Sequence, residues 1–359
     1  MSKKLCNFAN CFNYHSMSKT IIAGPCSVES REQLRETTEA LARMEQVSLI
    51  RCGVWKPRTR PGGFEGLGEP ALQWMQELAA EHGVSYCCEV ARPEHVELCL
   101  QYGISTVWLG ARTTGNPFMV EEICGALRGS GMNVLVKNPM TPDVHLWMGT
   151  IERLRDAGIG NLTAIHRGFT MYNNHGYRNA PLWEIPLILR REMPDLPILC
   201  DPSHIGGQRN LVAPLAQAAM QLGYDGLMVE VHPHPDNALT DNNQQITPFE
   251  LAQMLEDLLS THRTIEGNEE ALGAALAPLR QQIDDIDHEL LGLLARRMKI
   301  SEQIATIKQE MQTTVYQPKR WEQVLQDRQQ IASSLGLNAD FTKDILEKIH
   351  AESVRVQLS

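Results

Sequence analysis

The sequence predicts an α/β chain, a closed (β/α)8 barrel followed by an all-α three-helix domain that dimerises. Three observations predict it. Between Lys19 and Ser260, eight short apolar, β-branched runs alternate with turns and helical stretches. After Gly267 the composition shifts to Leu, Glu, Gln, Arg and Ile, with Gly and Pro rare inside long stretches. The length of 359 residues exceeds one ordinary core and suits a large domain with a small one. The expected boundaries are a poorly ordered leader at 1–18, the barrel at 19–260, a linker at 261–268 and the helical domain at 269–359.

In chain order the strand-like runs are TIIAGPCSV, SLIRCGV, SYCCEV, STVWLGA, NVLVKN, LTAIHRGF, PILCDPSHI and GLMVEVHP. The segments between them carry helical periodicity, as at Arg31–Met44, Pro70–His82, Pro93–Tyr102 and Arg209–Leu222. A doubly wound sheet is the alternative, but so regular a repeat over roughly 240 residues favours closure. The leader precedes a second Met-Ser-Lys at Met17 and carries no expected role.

In the tail, Glu269–Gln312 reads as one helix, with Leu276, Leu279, Ile283, Ile286, Leu290, Leu293 and Leu294 recurring at three- and four-residue spacing. Such a helix would span roughly 60 Å. Pro278 either lies near its first turn or kinks it. Pro318 can open a second helix, Lys319–Leu335, which Gly336 and Asn338 break before a third runs to Gln357. Three helices this unequal cannot enclose a private core, so intertwined copies are the natural solution, a homodimer or higher oligomer.

The net charge of −10 argues against a general nucleic-acid binder. No run of eighteen apolar residues predicts a membrane span, and no signal peptide is legible. Nine cysteines, an odd number at irregular spacing, fit a reducing compartment, so the expected location is cytoplasmic.

A barrel does its chemistry at the C-terminal ends of its strands. Here those ends carry Cys26, Arg51 with Lys56, Glu89, Arg112, Lys137, His166-Arg167, Asp201 with His204, and Glu230 with His232. Taken singly, a cysteine there is ordinary core and a lysine or arginine a solvated charge. Together they converge on one rim, and unpaired burial of each charge would cost several kcal/mol. The cations suit small, multiply charged anions. Cys26, His204 and Glu230, with Asp241 in a following loop, form a mixed sulfur, nitrogen and oxygen set suited to one divalent ion such as Mn2+, Fe2+, Co2+ or Zn2+.

With these residues, the order GPCS then Glu29, KPRT, GAR, HRG, DPSH and EVHP resembles the 3-deoxy-D-arabino-heptulosonate 7-phosphate (DAHP) synthases over Lys19–Ser260, in their short microbial form. The resemblance implies condensation of phosphoenolpyruvate with erythrose 4-phosphate. It implies Cys26, His204, Glu230 and Asp241 as metal ligands, with Asp236 a rival for the last place. It implies Arg51, Lys56, Arg112, Lys137 and Arg167 around phosphoenolpyruvate, Arg58 and Thr59 for erythrose 4-phosphate, and Glu89 as a nearby carboxylate. Glu89 or Lys137 would direct the attacking water, and His232 would relay a proton beside the metal. Enzymes making 3-deoxy-octulosonate 8-phosphate are the alternative, but they carry KANR-type sequence where KPRT stands at Lys56–Thr59.

The tail read alone is a dimerising bundle with solvated cations. Arg297 and Lys308, three turns apart, share one face, whereas Arg280 reaches them only from an antiparallel partner helix. LRQQIDDIDHELLGLLARRMKISEQIATIK, VYQPKRWEQVL and HAESVRVQ together resemble the all-helical chorismate mutases over Ala271–Leu358. By that resemblance Arg280 of a partner chain, Arg297, Arg320 and Ser353 bind chorismate, and Lys308 and Gln357 stabilise the breaking ether oxygen. Prephenate, the product, is then the expected feedback inhibitor. Two positions depart from the pattern: Trp321 stands where a glutamate is usual and Gln317 where an acid is, so a weakly catalytic sensor is the second reading.

Overall fold

The computed structural model describes residues 19–56, 62–172, 174, 176–260 and 269–359. The expected leader, the expected linker, and Arg58 and Thr59 lie outside them. The chain divides into two compact units, Met1–His262 and Arg263–Ser359.

The first unit is a closed parallel barrel in sequence order. Its strands are β1 (Thr20–Gly24), β2 (Val47–Cys52), β3 (Tyr86–Val90), β4 (Thr106–Leu109), β5 (Asn133–Lys137), β6 (Leu162–His166), β7 (Ile198–Cys200) and β8 (Gly226–Glu230). All eight expected runs are strands, because each is a short β-branched stretch buried on both faces. Closure is made by β1 against β8, from Thr20 beside Gly226 to Gly24 beside Glu230.

Around the barrel run α1 (Arg31–Leu41), α2 (Glu69–His82), α3 (Pro93–Gln101), α4 (Ala111–Thr114), α5 (Pro117–Leu127), α6 (Val144–Asp156), α7 (Glu184–Glu192), α8 (Pro202–Gly206), α9 (Arg209–Gln221) and α10 (Pro248–Ser260). Side-chain caps start several of them, Ser30 on α1, Asn116 on α5 and Asp143 on α6. The core lies between strands and helices, with Ile22, Val107, Leu135, Trp147 and Leu251 buried. Each such side chain contributes roughly 1.5–3 kcal/mol. The short α4 and α8 lift Arg112 and His204 off the strands and onto helices at the rim. Gly110 ends β4 before Arg112, in extended backbone against the Glu89 carboxylate.

The second unit contains α11 (Glu269–Glu310), α12 (Pro318–Ser334) and α13 (Ala339–Leu358). Pro318 opens α12, and Asn338 caps α13 by accepting from the Phe341 amide. Pro278 lies in the interior of α11, beyond its first turn. Along α11, Leu279, Ile283, Ile286, Leu290 and Leu293 are exposed.

Candidate active site

β1 and β8 bring Cys26 and Glu230 together, and the loop after β8 adds Asp241. Among the described residues, the ligand atoms of these three lie within 4.8 Å of one another. The Cys26 thiol donates to Asp241 Oδ2 at 3.4 Å, and Lys56 Nζ lies 3.1 Å from the sulfur. His204 adjoins through Glu230, its Nε2 being 3.7 Å from Oε1. Its Nδ1 lies 2.8 Å from Asp201 Oδ2, so the proton sits on Nδ1 and the Nε2 lone pair faces the group. Burial lowers the His204 pKa, against the pull of Asp201. Asp236 lies outside the group and pairs instead with Arg209 at 2.6 Å.

Burial opposes charge on Glu230 and Asp241. Even so, Glu230 is held below the usual carboxylate range by His204, where its ring is protonated, and by Arg51, and Asp241 likewise by Arg178 and His204. Two carboxylates and a thiol thus meet at one point, with the oriented imidazole of His204 beside Glu230 but outside that group of three, a donor set that suits a borderline divalent ion.

Trp108 of β4 lies buried beside the cations. The Arg51 guanidinium stands 5.1 Å from its ring centre and Lys137 Nζ 5.7 Å. Arg51 Nη2 donates to Glu230 Oε1 at 3.0 Å, and Lys137 Nζ to Asp201 Oδ2 at 2.8 Å. Among the described residues Arg51 Nε and Nη1 are buried with no hydrogen-bond partner, Nη1 being 4.0 Å from Asp201 Oδ2. Buried donors rarely go unused, so these two nitrogens mark a place for an acceptor.

Glu89 accepts from Trp108 Nε1 at 3.3 Å and lies close enough to Lys56 and Lys137 to favour both ammonium forms. Arg167 donates to Gly168 O at 3.1 Å. Burial, with repulsion from Arg178 and Arg112, pushes its pKa down to about 10, so three guanidiniums crowd one side of the rim. His232 is not part of the metal-ligating group. Its Nδ1 accepts from the His234 amide at 2.9 Å, and its buried Nε2 faces Glu29 Oε2 at 3.6 Å.

In the helical unit, Arg297 Nη1 donates to Ser353 Oγ, joining α11 to α13. Lys308 Nζ donates to Gln357 Oε1 at 3.0 Å. The His350 ring stacks on Trp321 with centroids 3.9 Å apart. Burial, Arg297 and Lys308 lower the His350 pKa, so that ring lies beside both cations. Arg320 is on α12, and Arg280 is an exposed residue of α11.

Residues 15–266 match the DAHP synthetase I family. This chain belongs to that family. Residues 279–358 match the chorismate mutase type II family, so one chain joins a DAHP synthase to a chorismate mutase. A phospho-2-dehydro-3-deoxyheptonate aldolase of Thermotoga maritima is 36% identical over 236 residues, 66% of this chain and 67% of that one. A 2-dehydro-3-deoxyphosphooctonate aldolase of Bordetella petrii is 27% identical over 275 residues, 69% of this chain and 92% of that one. The crystal structure of the Thermotoga maritima phospho-2-dehydro-3-deoxyheptonate aldolase superposes with a TM-score of 0.61 at 31% identity, covering 72% of this chain and 70% of that one.

The synthase barrel also uses residues that the sequence reading did not single out. Gln244 Nε2 donates to Glu230 Oε2 at 2.6 Å, and Gln245 Oε1 accepts from the Cys26 amide at 2.9 Å. Arg178 Nη1 pairs with Asp241 Oδ1 at 3.0 Å. Trp108 lies against Arg51 and Lys137, and Asp201, which was already noted at its strand end, pairs with Lys137. In sequence, Gln244 and Gln245 are marked only by following Asp241, and Arg178 by nothing beyond its charge. His166, noted at a strand end, is structural. It donates from Nε2 to Pro181 O and accepts at Nδ1 from the Tyr224 hydroxyl, and burial pushes its pKa down to about 3.

Proposed function

We propose that the barrel condenses phosphoenolpyruvate with erythrose 4-phosphate to DAHP and phosphate, using one divalent ion held by Cys26, His204, Glu230 and Asp241. The observation that carries this reading is the buried Arg51, whose Nε and Nη1 have no protein acceptor beside the three convergent ligand groups. Arg51, Lys56, Arg112, Lys137 and Arg167 hold the carboxylate and phosphate of phosphoenolpyruvate, which offsets the repulsion between two anionic substrates. Arg58 and Thr59 take the erythrose phosphate. When bound, the ion supplies Lewis-acid polarisation of the aldehyde.

Carbon 3 of phosphoenolpyruvate forms the new bond to the aldehyde carbon, and positive charge develops at carbon 2. Water adds there. Glu89, held between two ammonium groups, carries one of its protons toward the new hydroxyl. The other proton leaves with phosphate as the carbon–oxygen bond breaks and the ketone forms. His232 and Glu29 form a proton path at the rim.

In the helical unit, Arg297, Arg320 and Ser353, with Arg280 of a second copy, hold chorismate in its compressed shape, and Lys308 and Gln357 stabilise the ether oxygen. Release of phosphate from phosphoenolpyruvate in the presence of erythrose 4-phosphate, measured with and without chelator beside chorismate consumption, tests both halves. Chelator-insensitive phosphate release would remove the metal from the mechanism. Replacing erythrose 4-phosphate with a five-carbon sugar phosphate checks the octulosonate alternative, whose eight carbons require it.

A sensor with weak mutase activity is the second reading. It is favoured by Trp321, which stacks on His350 where a hydroxyl-binding carboxylate is expected. Prephenate bound there inhibits the barrel if it prefers the inhibited arrangement. Inhibition that survives Arg297→Ala would reject this route.

A further inference from the structure

We propose that Arg178, on the loop between β6 and α7, is the positioning residue that orients the metal ligands of this barrel, and this rests on the metal site proposed above. Arg178 Nη1 lies 3.0 Å from Asp241 Oδ1 and also donates to Gln244 Oε1. Because that amide oxygen accepts from arginine, the amide nitrogen is turned to Glu230 Oε2, at 2.6 Å. Arg178, directly and through Gln244, thus holds one oxygen of each carboxylate, and Arg51 donates to the other oxygen of Glu230 at 3.0 Å. The other oxygen of Asp241 faces the Cys26 sulfur at 3.4 Å, and the other oxygen of Glu230 faces His204 Nε2 at 3.7 Å.

The same loop is fastened to the segment that carries His204. The Arg178 and Asn179 amides donate to Ile205 O at 3.0 and 3.1 Å, and Asn179 Nδ2 donates to His204 O at 2.7 Å. The approach is close enough that a Cβ on Gly207 would lie 2.5 Å from Arg178 Cβ, and Gly207 has a φ of +69°. Asp241 itself has a φ of 47°, in the left-handed region, where the loop turns its side chain back to the Cys26 sulfur and to Arg178. A guanidinium suits the task because one nitrogen, Nη1, meets both acceptors here and the group stays charged at every working pH. Partners that orient ligands are worth about 10–100-fold in metal affinity.

The test is titration of full-length protein with Co2+, following the thiolate-to-cobalt absorption. Wild type, Cys26→Ser, Arg178→Gln, Arg178→Lys and Gln244→Ala are compared, with circular dichroism of each metal-free protein. Arg178→Gln is expected to weaken Co2+ binding about 10–100-fold with an unchanged metal-free spectrum, and Arg178→Lys to recover part of the loss. Wild-type affinity in a folded Arg178→Gln protein overturns the proposal. If that variant does not fold, Gln244→Ala decides: at least a tenfold loss supports the relay and an unchanged affinity rejects it. Absence of the Cys26-dependent band in wild type would instead defeat the metal site, a failure separate from that of Arg178.

Discussion

At the proposed metal site Cys26 stands as a thiol. Burial, with Glu230 adding, pushes its pKa up to about 12, while Lys56 works in the opposite direction. The liganding form is the thiolate, so between pH 6 and 8 each ion bound must release that proton. Burial lowers the His204 pKa, and Glu230 and Asp241 are held below the usual carboxylate range, so Cys26 carries the main proton to be released. Metal affinity should therefore rise with pH, about tenfold per unit, in Co2+ titrations from pH 6 to 8. A flat profile would mean that Cys26 is not a ligand. Glu89 permits a second test without being replaced itself. A Cβ on Gly110 would lie 2.1 Å from Glu89 Oε1, and its three nearest neighbours are all atoms of that side chain. Gly110 has a φ of −72°, which alanine adopts freely. Gly110→Ala should leave the melting temperature in place while displacing the carboxylate, lowering synthase kcat about 100-fold if Glu89 carries the water proton. Unchanged kcat would assign that proton elsewhere.

At the scale of elements, the eight strands were legible because each is a compact apolar run between turn residues, and a strand buried on both faces has no other signature. The helix starts were legible at Ser30, Asn116 and Asp143 because caps are local chemistry. The ends were less so. Arg31–Met44 was expected as helix, but α1 stops at Leu41 and the chain turns toward β2, while Met44 still packs on the core. Cys26, His204 and Glu230 stood out because they are polar residues at strand ends. Arg178 and Gln244 did not, since a loop has no period and their roles come from contacts across 63 and 14 residues of chain. The pairing of Trp321 with His350, on different helices, was equally invisible, although the oddity of Trp321 itself was readable. The two halves should also separate by residue. Cys26→Ser is expected to abolish phosphate release and spare chorismate consumption. Arg297→Ala should lower mutase kcat by about 100-fold or more and leave phosphate release in place. Loss of both activities in either variant, with the fold intact, would contradict two independent sites.

At the scale of the whole molecule, α11 poses a problem that one chain does not solve. Leu279, Ile283, Ile286, Leu290, Leu293, Ile300, Ile304 and Ile307 are all exposed along it. Their spacing alternates four and three residues, the seam of a coiled coil, and the place between Leu293 and Ile300 is filled by Arg297. A seam of this length left in water would favour association, and its single cation lies where the substrate is proposed to bind. In the proposed dimer a second copy of α11 would cover the seam and bring its Arg280 toward each Arg297, which the same chain's Arg280, seventeen residues away on one helix, could not reach. Assembly and mutase chemistry are then one property. Ile286→Glu places a charge in the seam away from every proposed chorismate contact. It should shift the protein toward monomer in sedimentation, and mutase activity per chain should fall on dilution, while phosphate release at the barrel persists. A monomeric Ile286→Glu protein with undiminished chorismate turnover would show that each chain builds its mutase pocket alone.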